Sequence, residues 1–228
     1  MSFWSRTAAV VAFLCITVIS NPAARAEDEP ALPLLVDEKF EQGADRWETS
    51  DPNAWKIVDS ARGKAFSLFQ QSKYNPPYRS PLNIALLKEV NVSDFVLEAK
   101  VLSTKPDYAH RDMCLFFGYQ DPAHFYYVHL GKKTDDHANQ IFIVNGAARV
   151  KISTKTTPGT PWDDQWHNLK IVRRVKDGAI SVYLDDMQTP IMTATDKTFV
   201  WGRVGFGSFD DIGDWDDVKL TGVKVEKP

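Results

Sequence analysis

Residues 112–131, DMCLFFGYQDPAHFYYVHLG, constrain the fold more than any other stretch. Two runs rich in strand-forming aromatics flank Gln120-Asp121-Pro122-Ala123, where Asp and Pro supply turn chemistry, so the stretch predicts a β-hairpin. A symmetric turn sets Tyr119 opposite His124, and side-chain alternation then sorts the hairpin into two faces. One face carries Met113, Leu115, Phe117 and Tyr119 against His124, Tyr126, Val128 and Leu130, and suits a core. The other carries Asp112, Cys114, Phe116 and Gly118 against Phe125, Tyr127, His129 and Gly131. Its carboxylate, thiol, imidazole and phenol are costly to bury and useful in a cleft.

The rest of the chain repeats the strand signal. Candidates run at Leu34–Phe40, Trp55–Val58, Ala65–Phe69, Phe95–Leu102, Gln140–Val144, Ala147–Ile152, Trp166–Arg174, Ala179–Leu184, Arg203–Phe209 and Trp215–Val225. Asn145-Gly146, Lys176-Asp177-Gly178 and Asp185-Asp186 punctuate them as turns. No helical periodicity exceeds two turns. The expected fold is therefore all-β, a two-sheet antiparallel sandwich or jelly roll. Phe95, Leu97, Ala99 and Val101 share an inner face, as do Ile180, Val182 and Leu184, and as do Val204 and Phe206. Opposite the last pair, Gly205 and Gly207 beside Arg203 leave room for a molecule to lie across the sheet.

The first 26 residues read as a secretory signal: Arg6 gives a basic n-region, Thr7–Ser20 is mainly apolar, and Ala24-Arg25-Ala26 is a small-x-small cleavage site. The expectation is an exported protein, periplasmic or extracellular, cleaved after Ala26. Residues 27–33 form a polar, proline-containing leader, expected to be disordered, and 34–228 a single sandwich domain. Downstream of the signal, Cys114 is the lone cysteine, which excludes an intramolecular disulfide. A formal charge of −3 without a basic stripe argues against nucleic acid, and no later apolar run reaches a membrane span.

WHNLKIVRRVKDGAISVYLDD at 166–186 and GRVGFGSFDDIGDWDDVKL at 202–220 resemble the late strands of the concanavalin A-like lectin/glucanase superfamily, including laminin-G-like jelly rolls. That architecture includes the 3-keto-disaccharide hydrolase domain and many non-catalytic carbohydrate modules, and a fold does not choose between them. The resemblance implies a carbohydrate or glycan partner. It also implies a structural Ca2+ between first and last strands, for which Asp37, Glu38 and Asp217 are the matching acids. The Glu-x-Asp-x-x-Glu strand of family-16 glucanases has no counterpart here.

Candidate site residues follow from chemistry on the mixed face and its rims. Sugars present apolar C–H faces and polar edges, so flat rings beside charged groups suit them. Tyr127 with Asp112, His129, Arg111 and Arg203 meets that description, as do Tyr74, Tyr78 and Arg79 on the loop 71–80. Four of the five histidines fall between residues 110 and 137, and His110, Asp112 and His129 could act together as acid-base groups or metal ligands. Cys114, opposite His129 in this register, is either a nucleophile with its base or a small buried hydrophobe. Non-catalytic glycan binding is the leading expectation; a glycoside hydrolase or lyase and a structural cell-envelope domain are the alternatives.

Overall fold

The sequence builds two antiparallel sheets packed face to face. In chain order the strands are β1 (Leu34–Glu38), β2 (Trp47–Thr49), β3 (Trp55–Ser60), β4 (Gly63–Leu68), β5 (Asn83–Leu87), β6 (Asn91–Ser103), β7 (Asp112–Asp121), β8 (His124–Gly131), β9 (Gln140–Asn145), β10 (Val150–Lys151), β11 (Ser153–Lys155), β12 (His167–Arg174), β13 (Ala179–Leu184), β14 (Met192–Thr195), β15 (Arg203–Ser208) and β16 (Gly213–Val225). A single 3-10 turn, Pro52–Ala54, is the one helical element among the described residues. One sheet has the order β11-β14-β13-β12-β6-β16-β4-β3, with β1 also on β16; the other has the order β10-β9-β8-β7-β15-β5-β2. The two antiparallel sheets make the expected β-sandwich. The computed structural model describes Met1 and residues 31–227, and from Leu32 onward they form one compact unit. The expected signal segment and its cleavage site lie outside the described residues. No helix among the described residues is long and apolar enough to cross a membrane.

The inner faces close on one apolar core. Phe95, Leu97, Ala99 and Val101 of β6 meet Leu115, Phe117, Tyr126 and Val128 of the hairpin there, with Val204 and Phe206 of β15. At its centre Phe206 stacks on Trp215 with ring centroids 4.7 Å apart and also packs on Trp47 at 4.5 Å. Offset and tilted ring pairs of this kind add about 0.5–1.5 kcal/mol beyond area burial.

The hairpin departs from its expected symmetry at one place. From Asp112↔Gly131 to Phe117↔Tyr126 the pairing follows the expected register, including Cys114 opposite His129. The turn, however, is Asp121-Pro122-Ala123-His124, with Asp121 opposite His124, and the ladder slips between Phe117 and Asp121. Gly118 takes a left-handed conformation, φ 56°, which a residue without Cβ adopts at little cost. The bulge moves Tyr119 off the core side; it packs on Phe125 at 5.1 Å on the sheet's outer face.

Four strands, β2, β5, β11 and β14, lie outside the stretches expected from sequence. β5 (NIALL) is buried at every position, because Ala85 and Leu87 face the core while Ile84 and Leu86 lie under a second apolar cluster on the outer face. With both faces covered, apolar–polar alternation disappears. The glycines of β15 also do different work than expected. A Cβ on Gly205 would lie 2.1 Å from the Ala85 carbonyl oxygen and one on Gly207 would lie 2.0 Å from that of Asn83. They admit the backbone of β5, not a ligand.

Candidate functional site

The mixed face is the outer face of the seven-stranded sheet, and the structure divides it into a roofed half and an open half. Over the roofed half, Phe209 from the β15–β16 connection stacks on the His129 imidazole with centroids 5.6 Å apart. The Arg149 guanidinium lies 4.3 Å above the Phe209 ring, and its Nη1 donates to the Tyr127 hydroxyl at 2.9 Å. Tyr127 in turn stacks on Phe142 at 5.1 Å and is fully buried. The sequence expectation of Tyr127 and His129 on an open surface is thereby corrected: both lie under Arg149 and Phe209. Arg149 was not among the expected site residues: it falls in the expected strand Ala147–Ile152, but the observed strand begins at Val150, and Arg149 reaches the face from the connection before it.

Beneath that roof Asp112, 0% exposed, accepts the Phe209 N–H at 2.8 Å through Oδ2 and stands 2.9 Å from His129 Nε2. The Cys114 thiol is 3.6 Å from the same oxygen. Burial first, and then the Asp112 charge, push that thiol well above its ordinary value, so the nucleophile reading of Cys114 has no support. Asp211 accepts the Asp112 N–H at 2.9 Å and the Tyr108 hydroxyl at 2.8 Å, and Lys105 approaches it to 3.3 Å. Burial and the neighbouring Asp112 raise the carboxyls of Asp210 and Asp211.

Other expected residues are dispersed. His110 is exposed and edge-on to Tyr108 at 6.3 Å, so the expected trio reduces to Asp112 and His129. Arg111 is buried and committed elsewhere: its guanidinium donates to Ser103 Oγ at 2.8 Å, to the Asp163 carbonyl at 2.8 Å and to Asp164 at 3.2 Å. It clasps two loops and offers nothing to a ligand. Tyr78 and Arg79 are exposed, with Arg79 5.8 Å over Phe209. The acids expected for Ca2+ are not gathered. Asp37 and Glu38 are strand neighbours pointing to opposite faces, Glu38 accepts the Phe40 N–H at 3.0 Å, and Asp217 pairs with Arg62 at 2.5 Å.

The open half is a groove of about 380 Å³. Tyr74, Tyr119, Ile84 and Leu86 form its apolar wall, with Glu48, Gln120, Asp121 and Arg203 as polar members. Arg203 stands 5.5 Å over the Tyr119 ring and is ion-paired to Glu48. Burial raises both phenols, Tyr74 and Tyr119, so each remains a neutral hydrogen-bonding group. Asp121 is pulled the other way: burial works upward, but hydrogen bonds from His124 and the Ala123 N–H outweigh it and hold the carboxyl low. The loop carrying Tyr74 is tied down by Asp51, whose Oδ2 accepts the Lys73 N–H at 2.8 Å and whose Oδ1 accepts the Asn53 N–H at 2.9 Å. Of the ligand residues expected from sequence, Tyr74 and Arg203 line this groove; Tyr119 was missed, and Gly118 inside a strand was the signal that would have found it.

A scan against protein-family models finds no match, and neither does a search of curated proteins. Among solved structures the chain is similar to carbohydrate binding module CBM66 from Bacillus subtilis, with TM-score 0.55 and 19% identity over 78% of this chain and 96% of that one. Domain 4 of AbnA, a GH43 extracellular arabinanase from Geobacillus stearothermophilus in complex with arabinotriose, aligns with TM-score 0.57 and 12% identity over 86% and 96% of the two chains. Winged bean acidic lectin complexed with methyl-α-D-galactose aligns with TM-score 0.51 and 13% identity over 82% and 97%. At these identities the likeness is one of fold.

Proposed function

We propose that the chain binds a carbohydrate in the groove between Tyr74, Tyr119 and Arg203, without cleaving it. The observation that carries this reading is the pairing of two phenol rings with the Arg203–Glu48 ion pair on the unroofed part of the sheet. Rings supply stacking surface for the C–H face of a pyranose or furanose, and the charged pair supplies hydrogen bonds to its hydroxyls. The CBM66 and arabinanase-domain likenesses add support at the level of fold. Binding without turnover is favoured because both groove acids are engaged, Glu48 by Arg203 and Asp121 by His124. A glycosidase general acid needs a raised carboxyl, and Asp121 is lowered. Asp112 and His129, the alternative acid-base pair, lie under Phe209 away from the groove.

A glycan array followed by calorimetry on the best ligand and product analysis tests the proposal. Tyr74→Ala and Tyr119→Ala are each expected to weaken binding at least tenfold, about 1.4 kcal/mol, with no product formed. Saturable binding that both variants leave unchanged, or steady release of reducing ends, would sink it.

A further inference from the structure

The roofed half of the face holds polar atoms that sugar recognition leaves without a task. Asp112 and His129 are 0% and 6% exposed, yet Asp112 Oδ1 and His129 Nε2 find no hydrogen-bond partner among the described residues. Leaving a buried polar atom unpaired costs on the order of 1–3 kcal/mol, more when it is charged. His129 Nδ1 lies 2.9 Å from the His137 carbonyl oxygen, which can only accept, so in the neutral ring the proton sits on Nδ1 and Nε2 presents a lone pair. Nε2 approaches Asp112 Oδ2 to 2.9 Å but off the hydrogen-bonding direction, so with the neutral ring two electron-rich atoms are held together. Across the strand pair the fully buried Cys114 adds a sulfur, and one donor atom from each of Asp112, Cys114 and His129 lies within 4.8 Å of the others.

We propose that Asp112, Cys114 and His129 bind a borderline-soft divalent cation of the zinc type, with Asp210 at the mouth of the site. Tetrahedral ligands at about 2.0–2.3 Å from zinc stand roughly 3.3–3.8 Å apart, so side-chain adjustments of about an ångström close the set. A thiolate, an imidazole and a carboxylate suit zinc, whereas calcium takes oxygens alone. The Nδ1–H bond to His137 is the outer contact that orients a metal-bound imidazole through Nε2. Asp210 and Asp211 each bring a carboxylate oxygen within 4.8 Å of Asp112, so further oxygen ligands adjoin the site. On binding, the Cys114 S–H bond is exchanged for a metal–sulfur bond and the proton leaves to solvent. Asp112 opens β7 and Tyr119 lies near its other end, so the site is separate from the sugar groove and stands whether or not that reading holds.

The test titrates the untagged, chelator-stripped Cys15→Ser chain, in which Cys114 is the one thiol, with Co2+ and then Zn2+. Expected are saturation at one equivalent, tetrahedral visible absorption, a near-ultraviolet thiolate-to-cobalt charge-transfer band, and loss of both signals when Zn2+ is added. Cys114→Ser removes the charge-transfer band, and His129→Gln weakens Co2+ binding by at least 10–100-fold, about the cost of disturbing even outer partners. Absence of saturable binding by the natively folded chain overturns the proposal. So does saturation without the charge-transfer band, or binding that both variants leave unchanged. The band in the parent chain decides the matter even if a variant fails to fold.

Discussion

At the scale of single residues, the glycines of β15 show how a correct local reading meets the wrong neighbour. Alternation places Gly205 and Gly207 on the outer side of the sheet without side chains, as their sequence spacing implies. What occupies the freed space is the β5 backbone, 2.0 Å from where a Gly207 Cβ would stand. Gly207→Ala is therefore expected to destabilise the fold by at least about 1–3 kcal/mol, the usual cost of overpacking, since a backbone carbonyl cannot step aside as a flexible side chain does. Gly43 is the control: φ is 104° and nothing lies within 4 Å of its Cβ position. Gly43→Ala should cost only conformational strain, about 1–2 kcal/mol. Chemical denaturation checks both, and a Gly207→Ala midpoint above that of Gly43→Ala would contradict the packing argument. Arg111 carries the same lesson for charge. A basic residue beside a mixed face reads as a ligand contact, but its guanidinium is consumed by Ser103, Asp163 and Asp164, partners up to 53 residues away in the chain.

At the scale of elements, the β7–β8 hairpin decides where sugar recognition can occur. Pairing from Asp112 to Phe117 was legible, because two faces of unlike polarity determine a register. The slip after Phe117 was not, because a bulge moves one end of a strand by a local change that the average pattern of ten residues conceals. Its consequence is large for one side chain: Tyr119 leaves the core and enters the groove. Gly118→Ala tests the device. The new Cβ would sit at φ 56° and 3.1 Å from the Tyr126 ring, so a loss of about 1–2 kcal/mol in stability is expected. Binding of the groove's sugar should fall further than that loss explains, since Tyr119 is displaced while the sandwich persists. Unchanged affinity in a folded Gly118→Ala chain would separate the bulge from recognition.

At the scale of the whole molecule, loops distant in sequence cover one half of the outer face and leave the other half open. Asp51 fastens the loop that carries Tyr74, and N–H donors from Lys73 and Asn53 hold its carboxyl below the usual range. A depressed carboxyl stabilises the fold above its unfolded value, near 3.9, and that contribution disappears as pH falls through the lower folded value. Sugar affinity is thus expected to be level above about pH 5 and to drop below about pH 4. Asp51→Asn, which loses the charge at every pH, should bind more weakly at neutrality and show a shallower acid decline in calorimetry. A decline as steep as that of the parent chain would place the responsible group elsewhere. The sequence by itself determined the all-β class, the inner faces and the hairpin register as far as Phe117, because period-two alternation is a property of residues two apart. The tertiary structure alone decided that Arg149 and Phe209 roof Tyr127 and His129, that Tyr119 turns outward, and that Asp37, Glu38 and Asp217 stay apart. Those outcomes depend on which distant backbone or side chain arrives over a face, and chain-local polarity carries no record of that arrival.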